Sequence, residues 1–343
     1  MAYTTIDKPS DYFNTVTYSG NGSTQSITGV GFQPDFVWIK SRSTSNDHVV
    51  FDSIRGATKR LRTNSTGAED TQSNQLTSFD SDGWTTGDAY NTNNGSQTYV
   101  SWNWLGSNTT ASNTDGDVTS TVCVNTTSGF SIIEVSNLNS NSFGHGLGAE
   151  PELIMNKRTD NTANWRVYFK GITSGKSLFL NTTGAETTEA SRITSASSST
   201  ITVAGSGNGG SAGSGTSVYF AFKSIKGFSK FGNYTGNGNA NGTFVYTGFK
   251  PAWVMMKRTD TTNDWFIYDS TRNTFNETNL RISANSSSAE STQTTNQIDI
   301  LSNGFKCRGT AGATNASGGT YIYMTFAEAP FVTSTHKTAG TAR

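Results

Sequence analysis

The chain has 343 residues, 33% hydrophobic and only 15% charged, with 25 basic side chains balancing 25 acidic ones. A chain of zero net charge carries no long-range field for nucleic acid or an anionic membrane surface, so neither is expected as a partner. Its polar content is Ser, Thr, Asn and Gly, the residues of turns and solvated strand faces, and its length allows two or three domains, each with a core.

The N-terminus, "MAYTTIDKPSDYF", has neither a basic n-region nor an apolar h-region, so no secretory signal is predicted. The longest clean apolar run, Ala252 to Met256, is far short of a membrane span. Cys123 and Cys307 are too distant in sequence for a disulfide framework or a metal motif and are expected to be unpaired and partly buried. A soluble chain folded in a reducing cytoplasm is the expectation.

After an N-terminal arm (1–11) the chain writes one unit three times. "GFQPDFVWIKSR" (31–42) recurs as "GAEPELIMNKRT" (148–159) and "GFKPAWVMMKRT" (248–259). Aligned on Pro34, Pro151 and Pro251, the next fourteen residues match without a gap through Lys40, Lys157 and Lys257 to His48, Trp165 and Trp265. An Ala-Glu pair follows at Glu69, Glu186 and Glu290, and each copy ends in an apolar strand: "TYVSWNW", "TSVYFAF", "TYIYMTF". The units are placed at 12–106, 129–226 and 227–331, with a Thr/Asn/Ser-rich connector at 107–128 and a C-terminal tail at 332–343. The second and third abut at "KSIKGFSKF" with almost no linker, which predicts close packing.

Each unit reads as strands. Val100, Trp102 and Trp104 share one face of their strand, as do Val218, Phe220 and Phe222, and Ile322, Met324 and Phe326, the period-two pattern of a strand half-buried against a second layer. "DFVWI" and "AWVMM" are apolar on both faces and read as central strands, each begun at a proline after a glycine that allows a turn (Gly31, Gly148, Gly248). "DSDGW" (80–84) and "LSNGF" (301–305) read as tight hairpins with Gly at positive φ. The fold expected is all-β: three tandem, internally repeated antiparallel β-sandwiches of jelly-roll or lectin-like type.

For Lys40, Lys157 and Lys257 the favoured reading is structural, an aliphatic stem over the sheet and a head paired to a carboxylate; a binding triad is the alternative. "DSDG" suggests calcium, but the third unit has Leu301 and Asn303 where the first has Asp80 and Asp82, so a hairpin explains both copies and a metal explains one. Trp84, Phe305, Trp165 and Trp265 read as core. His48, His145 and His336 have no nucleophile at motif spacing, and no catalytic, metal or cofactor residue is assigned. A pair of acids for glycoside hydrolysis remains open, since such carboxylates meet only in space. The loops that differ between units (87–97, 205–215, 309–319) are the candidate ligand contacts: Tyr90, Asn91, Asn93, Asn94, Asn208 and Asn315, against the plainer reading of solvated connections.

"DYFNTVTYSGNGSTQSITGVGFQPDFVWIKSR", "GFSKFGNYTGNGN", "GTFVYTGFKPAWVMMKRTDTTNDW", "DILSNGFK" and "TYIYMTFAEAPF" together resemble a family of marine bacteriophage virion and tail-fibre proteins across about residues 12–331. The ending "APFVTSTHKTAGTAR" departs from it. The resemblance implies a non-enzymatic virion structural protein located in the particle after assembly in the host cytoplasm. A tail-fibre or tail-spike component touching host-surface carbohydrate is the leading expectation. A capsid decoration or structural tail protein that binds only other virion proteins is the alternative, with a polysaccharide depolymerase behind it. A homo-oligomer is expected, a trimer among the open arrangements, though no heptad or collagen-like repeat specifies one.

Overall fold

Side-chain alternation along the apolar runs sets the architecture, because each inner strand feeds two cores at once. The structure, a computed structural model, describes residues 3–138, 141–204 and 215–334. The first repeat forms β1 (Phe13–Ser19), β2 (Gln25–Ile27), β3 (Phe36–Ser41), β4 (Val49–Asp52), β5 (Lys59–Arg60), β6 (Asp70–Thr71), β7 (Leu76–Asp80), β8 (Gly83–Thr86) and β9 (Thr98–Trp104). Residues 107–128, read from composition as a connector, carry β10 (Ala111–Asn113) and β11 (Ser120–Asn125). The second repeat forms β12 (Phe130–Ser136), β13 (Ser142–Gly144), β14 (Leu153–Arg158), β15 (Arg166–Phe169), β16 (Lys176–Phe179), β17 (Thr187–Thr188), β18 (Arg192–Ala196), β19 (Thr200–Ala204) and β20 (Thr216–Phe222). The third forms β21 (Ser229–Thr235), β22 (Phe244–Tyr246), β23 (Phe249–Arg258), β24 (Trp265–Asp269), β25 (Leu280–Ser283), β26 (Ser291–Thr292), β27 (Ile298–Leu301), β28 (Gly304–Cys307) and β29 (Thr320–Pro330).

The chain is nearly all β, in antiparallel sheets. An inner sheet β1-β9-β3-β4 lies with an outer sheet β2-β8-β7, and the same order returns as β12-β20-β14-β15 with β13-β19-β18, and as β21-β29-β23-β24 with β22-β28-β27. On β3, Val37 and Ile39 face the outer sheet and meet Ile27, Leu76, Trp84 and Tyr99. The alternate residues Phe36 and Trp38, with Val100, Trp102 and Trp104, turn the other way. There they meet Met155, Phe220 and Phe222 of the second repeat and Trp253, Met255, Met324 and Phe326 of the third in one central cluster. Phe36 lies 4.3 Å from Phe220, Phe13 stacks on Phe326 at 4.8 Å, and Phe222 meets Phe326 edge-on at 6.0 Å, so every pair of repeats touches. Six of the seven tryptophans lie in this shared cluster, and Trp84 and Phe305 are fully buried in outer cores, as their spacing suggested.

Several local expectations change their reason. Gly31, Gly148 and Gly248 do sit at positive φ (89°, 66° and 85°) before their prolines. Pro251, however, lies inside β23 at a register shift instead of at a strand start, a bulge being where a sheet tolerates a missing N–H. The hairpins at 80–84 and 301–305 form around the pairs Asp80↔Gly83 and Leu301↔Gly304. Glycine is needed at both because a Cβ would stand about 2 Å from the carbonyl oxygen of Ile27 or Val245 on the neighbouring strand, a matter of close approach common to both copies. Asp82 accepts the backbone N–H groups of Gly29 (3.0 Å) and Gly31 (2.6 Å), which gives its carboxylate a structural task in place of calcium.

Because the largest core is shared, the three repeats are expected to unfold together. In urea, tryptophan fluorescence and far-UV circular dichroism should trace one coincident transition, and Trp253→Ala should lower its free energy by about 3–5 kcal/mol. Two resolved transitions, or a Trp253→Ala effect confined to one of them, would show independent domains.

Candidate ligand-binding groove

The landmarks that recur in sequence are the places where consecutive repeats join. Trp165 Nε1 donates to the carbonyl oxygen of Arg62 (2.8 Å) and Trp265 Nε1 to that of Phe179 (2.9 Å), each in the preceding repeat. His48, at the same position, accepts from Trp38 Nε1 at Nδ1 (2.9 Å), so its proton is on Nε2, which faces the carbonyl oxygen of Ser283 (3.0 Å) in the third repeat. The backbone N–H of Glu69 donates to Thr159, that of Glu186 to Thr259 and that of Glu290 to Arg42, at 2.8–2.9 Å. The order is first to second, second to third and third back to first, a closed ring of three seams. Burial pushes His48 well below its ordinary pKa, aided by the charge of Lys40, and holds it neutral between indole and carbonyl.

Lys40, Lys157 and Lys257 are fully buried, and their heads go to carbonyl oxygens, a correction to the expected carboxylate pairing. Lys157 Nζ reaches Arg158 (2.9 Å) and, across the seam, Thr66 (3.2 Å); Lys257 Nζ reaches Arg258 (2.7 Å) and Thr183 (3.1 Å); Lys40 Nζ bonds Ser41 (2.7 Å) within its own repeat. Burial lowers each to about 8.

The seams differ in what fills them. Between first and second repeats, Arg55 bonds Asp52 (2.5 Å) and Glu69 (3.1 Å), and β11 adds to the free edge of β12 over five residue pairs, Thr121↔Glu134 to Asn125↔Phe130. Between third and first, Arg272 bonds Asp269 (2.5 Å) and Glu290 (2.9 Å), Arg42 bonds Glu290 at 2.9 Å, and Trp102 Nε1 donates to Asp269 (3.1 Å). Burial raises the Glu290 pKa, but the two guanidinium groups outweigh it and hold the carboxyl below its usual value. The cavity left there is 90 Å³.

At the seam between second and third repeats, Phe169 and Ile172 stand where the others have Asp and Arg. Among the described residues no cation pairs with Glu186, and β21 ends its sheet with no counterpart of β11 beside it. Cavities of 580 and 540 Å³ meet there at Phe169 and Asn233 and run along β21. One end carries Tyr3, Tyr246, Lys170, Lys226, Lys230 and Glu152. The other carries Lys176, Glu186, Thr235 and Asp260. The short linker predicted close packing; the seam bonds of Trp265 and Lys257 form, yet cavities of 580 and 540 Å³ stay open at this seam, which has neither an added strand nor the Asp-Arg pair of the other two.

Among the described residues, none of the loop positions predicted as contacts lines the groove. Tyr90 is 52% exposed on a one-turn helix, with Asn91 and Asn94 half-buried beside it. Asn93 and Asn315 are fully buried hubs, a correction: Asn93 Nδ2 bonds the Gly87 carbonyl oxygen (2.9 Å) and Asn21 Oδ1 (3.1 Å), and Asn315 Nδ2 bonds Gly309 (2.8 Å), Asn239 (2.9 Å) and Asn237 (2.9 Å). Their amides fix loops and cannot reach a ligand. Asn208 and His336 lie outside the described residues. The groove residues were missed although their signal was present, in the exchange of Asp and Arg for Phe169 and Ile172 and in the lysine run of "KSIKGFSK" (223–230).

The molecule is thus a nearly all-β protein of packed antiparallel sheets with a single open seam among its three. It belongs to the family described as a domain of unknown function, DUF7483, whose family model matches residues 8–330. No curated protein and no solved structure matches it significantly.

The buried lysines set a pH dependence. Their native values near 8 lie below the unfolded 10.5, so between these the unfolded chain binds more protons and stability rises with pH, by up to about 1.4 kcal/mol per lysine per pH unit. From pH 9 upward the buried thiols of Cys307 and Cys123, with raised pKa values, act in the opposite direction. The urea midpoint should therefore climb between pH 8 and 9, and Lys257→Met should remove about a third of that slope. A slope unchanged by Lys257→Met would show that this lysine is not held at a depressed value.

Proposed function

We propose that this chain is a non-enzymatic structural component of a bacteriophage virion, of the tail-fibre or tail-spike class, that contacts host-surface glycan through the groove between its second and third repeats. Its scaffold is three tandem β-sandwiches of the jelly-roll or lectin-like kind, closed on one another. Other virion proteins and further copies of the chain are its partners in the particle.

The observation that carries the reading is one open seam beside two filled ones. A saccharide presents hydroxyls that need paired donors and acceptors and C–H faces that lie on aromatic rings, and the groove supplies both: Asn233, Thr235, Lys176 and Glu186 with the half-exposed ring of Tyr246. Its two cavities fall in the size range of small-ligand sites. The phrases shared with phage virion proteins support the particle assignment, and capsid decoration or a purely structural tail role is the alternative. A depolymerase reading draws on Glu186 and Asp260, which line the same cavity. Arg258 binds both oxygens of Asp260 (2.7 and 3.0 Å) and holds that carboxyl below its usual pKa, so Asp260 could act only as the ionised partner, with both its oxygens already occupied by the guanidinium.

Purified protein should bind on a glycan array and block adsorption of the phage to its host. Absence of both effects sinks the receptor role. Hundreds of copies per particle would favour capsid decoration, and halos around plaques would favour a depolymerase.

A further inference from the structure

Resting on the glycan reading, we propose that the groove selects an anionic saccharide and seats its carboxylate, sulfate or phosphate at the Tyr3 end, among Lys170, Lys226 and Lys230. Those three ammonium groups line the 580 Å³ cavity with Glu152 as the one acid among its lining residues, on a chain whose total charge is zero. The adjoining 450 Å³ hollow continues the surface with Lys223 and shares Tyr3, Ser224 and Lys226. Three of these four lysines fall within eight consecutive residues, 223–230, where the second repeat passes into β21 of the third.

The cations are placed for a ligand more than for each other. Lys226 Nζ stands 4.6 Å from the centre of the Tyr3 ring and Lys230 Nζ 5.3 Å from that of Tyr246, while Lys230 also donates to the Tyr246 carbonyl oxygen (2.7 Å). Tyr3 is anchored through its hydroxyl to the Gly248 carbonyl oxygen, which holds its ring as one wall of the cavity. Glu152 accepts the hydroxyl of Ser224, and its charge offsets part of that of Lys170 and Lys230, leaving the cations in excess among the lining residues. Lys170 pairs with Glu150 (2.7 Å) on the surface, its side chain 53% exposed, and an exposed pair of this kind is worth little and exchanges readily for a ligand anion. The far end of the groove has the reverse balance, Glu186 and Asp260 against Lys176, with Asp260 occupied by Arg258. That end suits a neutral sugar ring and disfavours a second acidic group. The polarity therefore orients the chain of sugars, acidic residue toward Tyr3 and neutral residue toward Thr235.

Matched probe pairs test this: sialyllactose against lactose, oligogalacturonate against maltooligosaccharides, and sulfated or phosphorylated oligosaccharides against their parents, by calorimetry at low and high salt. The acidic member should bind at least about tenfold tighter at low salt, with the gain shrinking as salt is added. The double substitution Lys170→Ala and Lys226→Ala, both on the surface, should abolish the preference for the acidic member, whereas Lys8→Ala should leave it unchanged. Which anion class gains most identifies the source. Equal binding of acidic and neutral members, or equal losses with Lys8→Ala, overturns the proposal while leaving the glycan reading standing. Binding of no saccharide at all overturns both.

Discussion

The bond on which the rest of the structure depends is the donation of buried N–H groups from one repeat to carbonyl oxygens of the one before. Trp165 and Trp265 make it with an indole, and His48 with a neutral imidazole. A carbonyl left unpaired at such a depth costs about 1–3 kcal/mol, so these contacts fix the register between repeats as well as adding stability. They come in cyclic order, and with the order closed, the inner faces of three sheets have nowhere to point except toward each other. The aromatic centre is a consequence of that closure. No repeat alone could cover Trp38, Trp102 and Trp253, whose rings are shared across seams.

Much of this was legible in the sequence. Alternation in "TYVSWNW" and its two counterparts told which face is buried, and the double-sided apolar character of "DFVWI" told that its strand is central. What alternation does not tell is that one face would be buried against two other repeats instead of a partner sheet of its own. Both burials look the same along a strand, because hydrophobic pattern records the loss of water and not the identity of the neighbour. Likewise the lysines were visible as a fixed position, but a buried head satisfied by carbonyls leaves no acidic partner in the sequence to find.

The groove was harder, for a related reason. Variable Asn/Gly loops attract attention as binding sites, yet Asn93 and Asn315 turn out to stabilise their own loops through both the nitrogen and the oxygen of their amides. The informative variation sat inside the conserved frame, at Phe169 and Ile172, where an apolar pair takes the place of an ion pair seen in both other copies. Reading it requires knowing that those positions face a seam, which only the assembled ring reveals. Composition also marked 107–128 as a connector, when its β11 is the strand that closes the edge of β12.

Three seams in one polypeptide have a consequence for how such a molecule can change. In a trimer of identical subunits any substitution is made three times, so opening one interface opens all and forfeits the core they protect. Here the copies are encoded separately. Two can be held to the demands of cohesion while the third drifts, and the price of a cleft is charged to one junction out of three. A unit written three times in one chain thus turns a symmetric solution to a packing problem into one whose three junctions need not be alike.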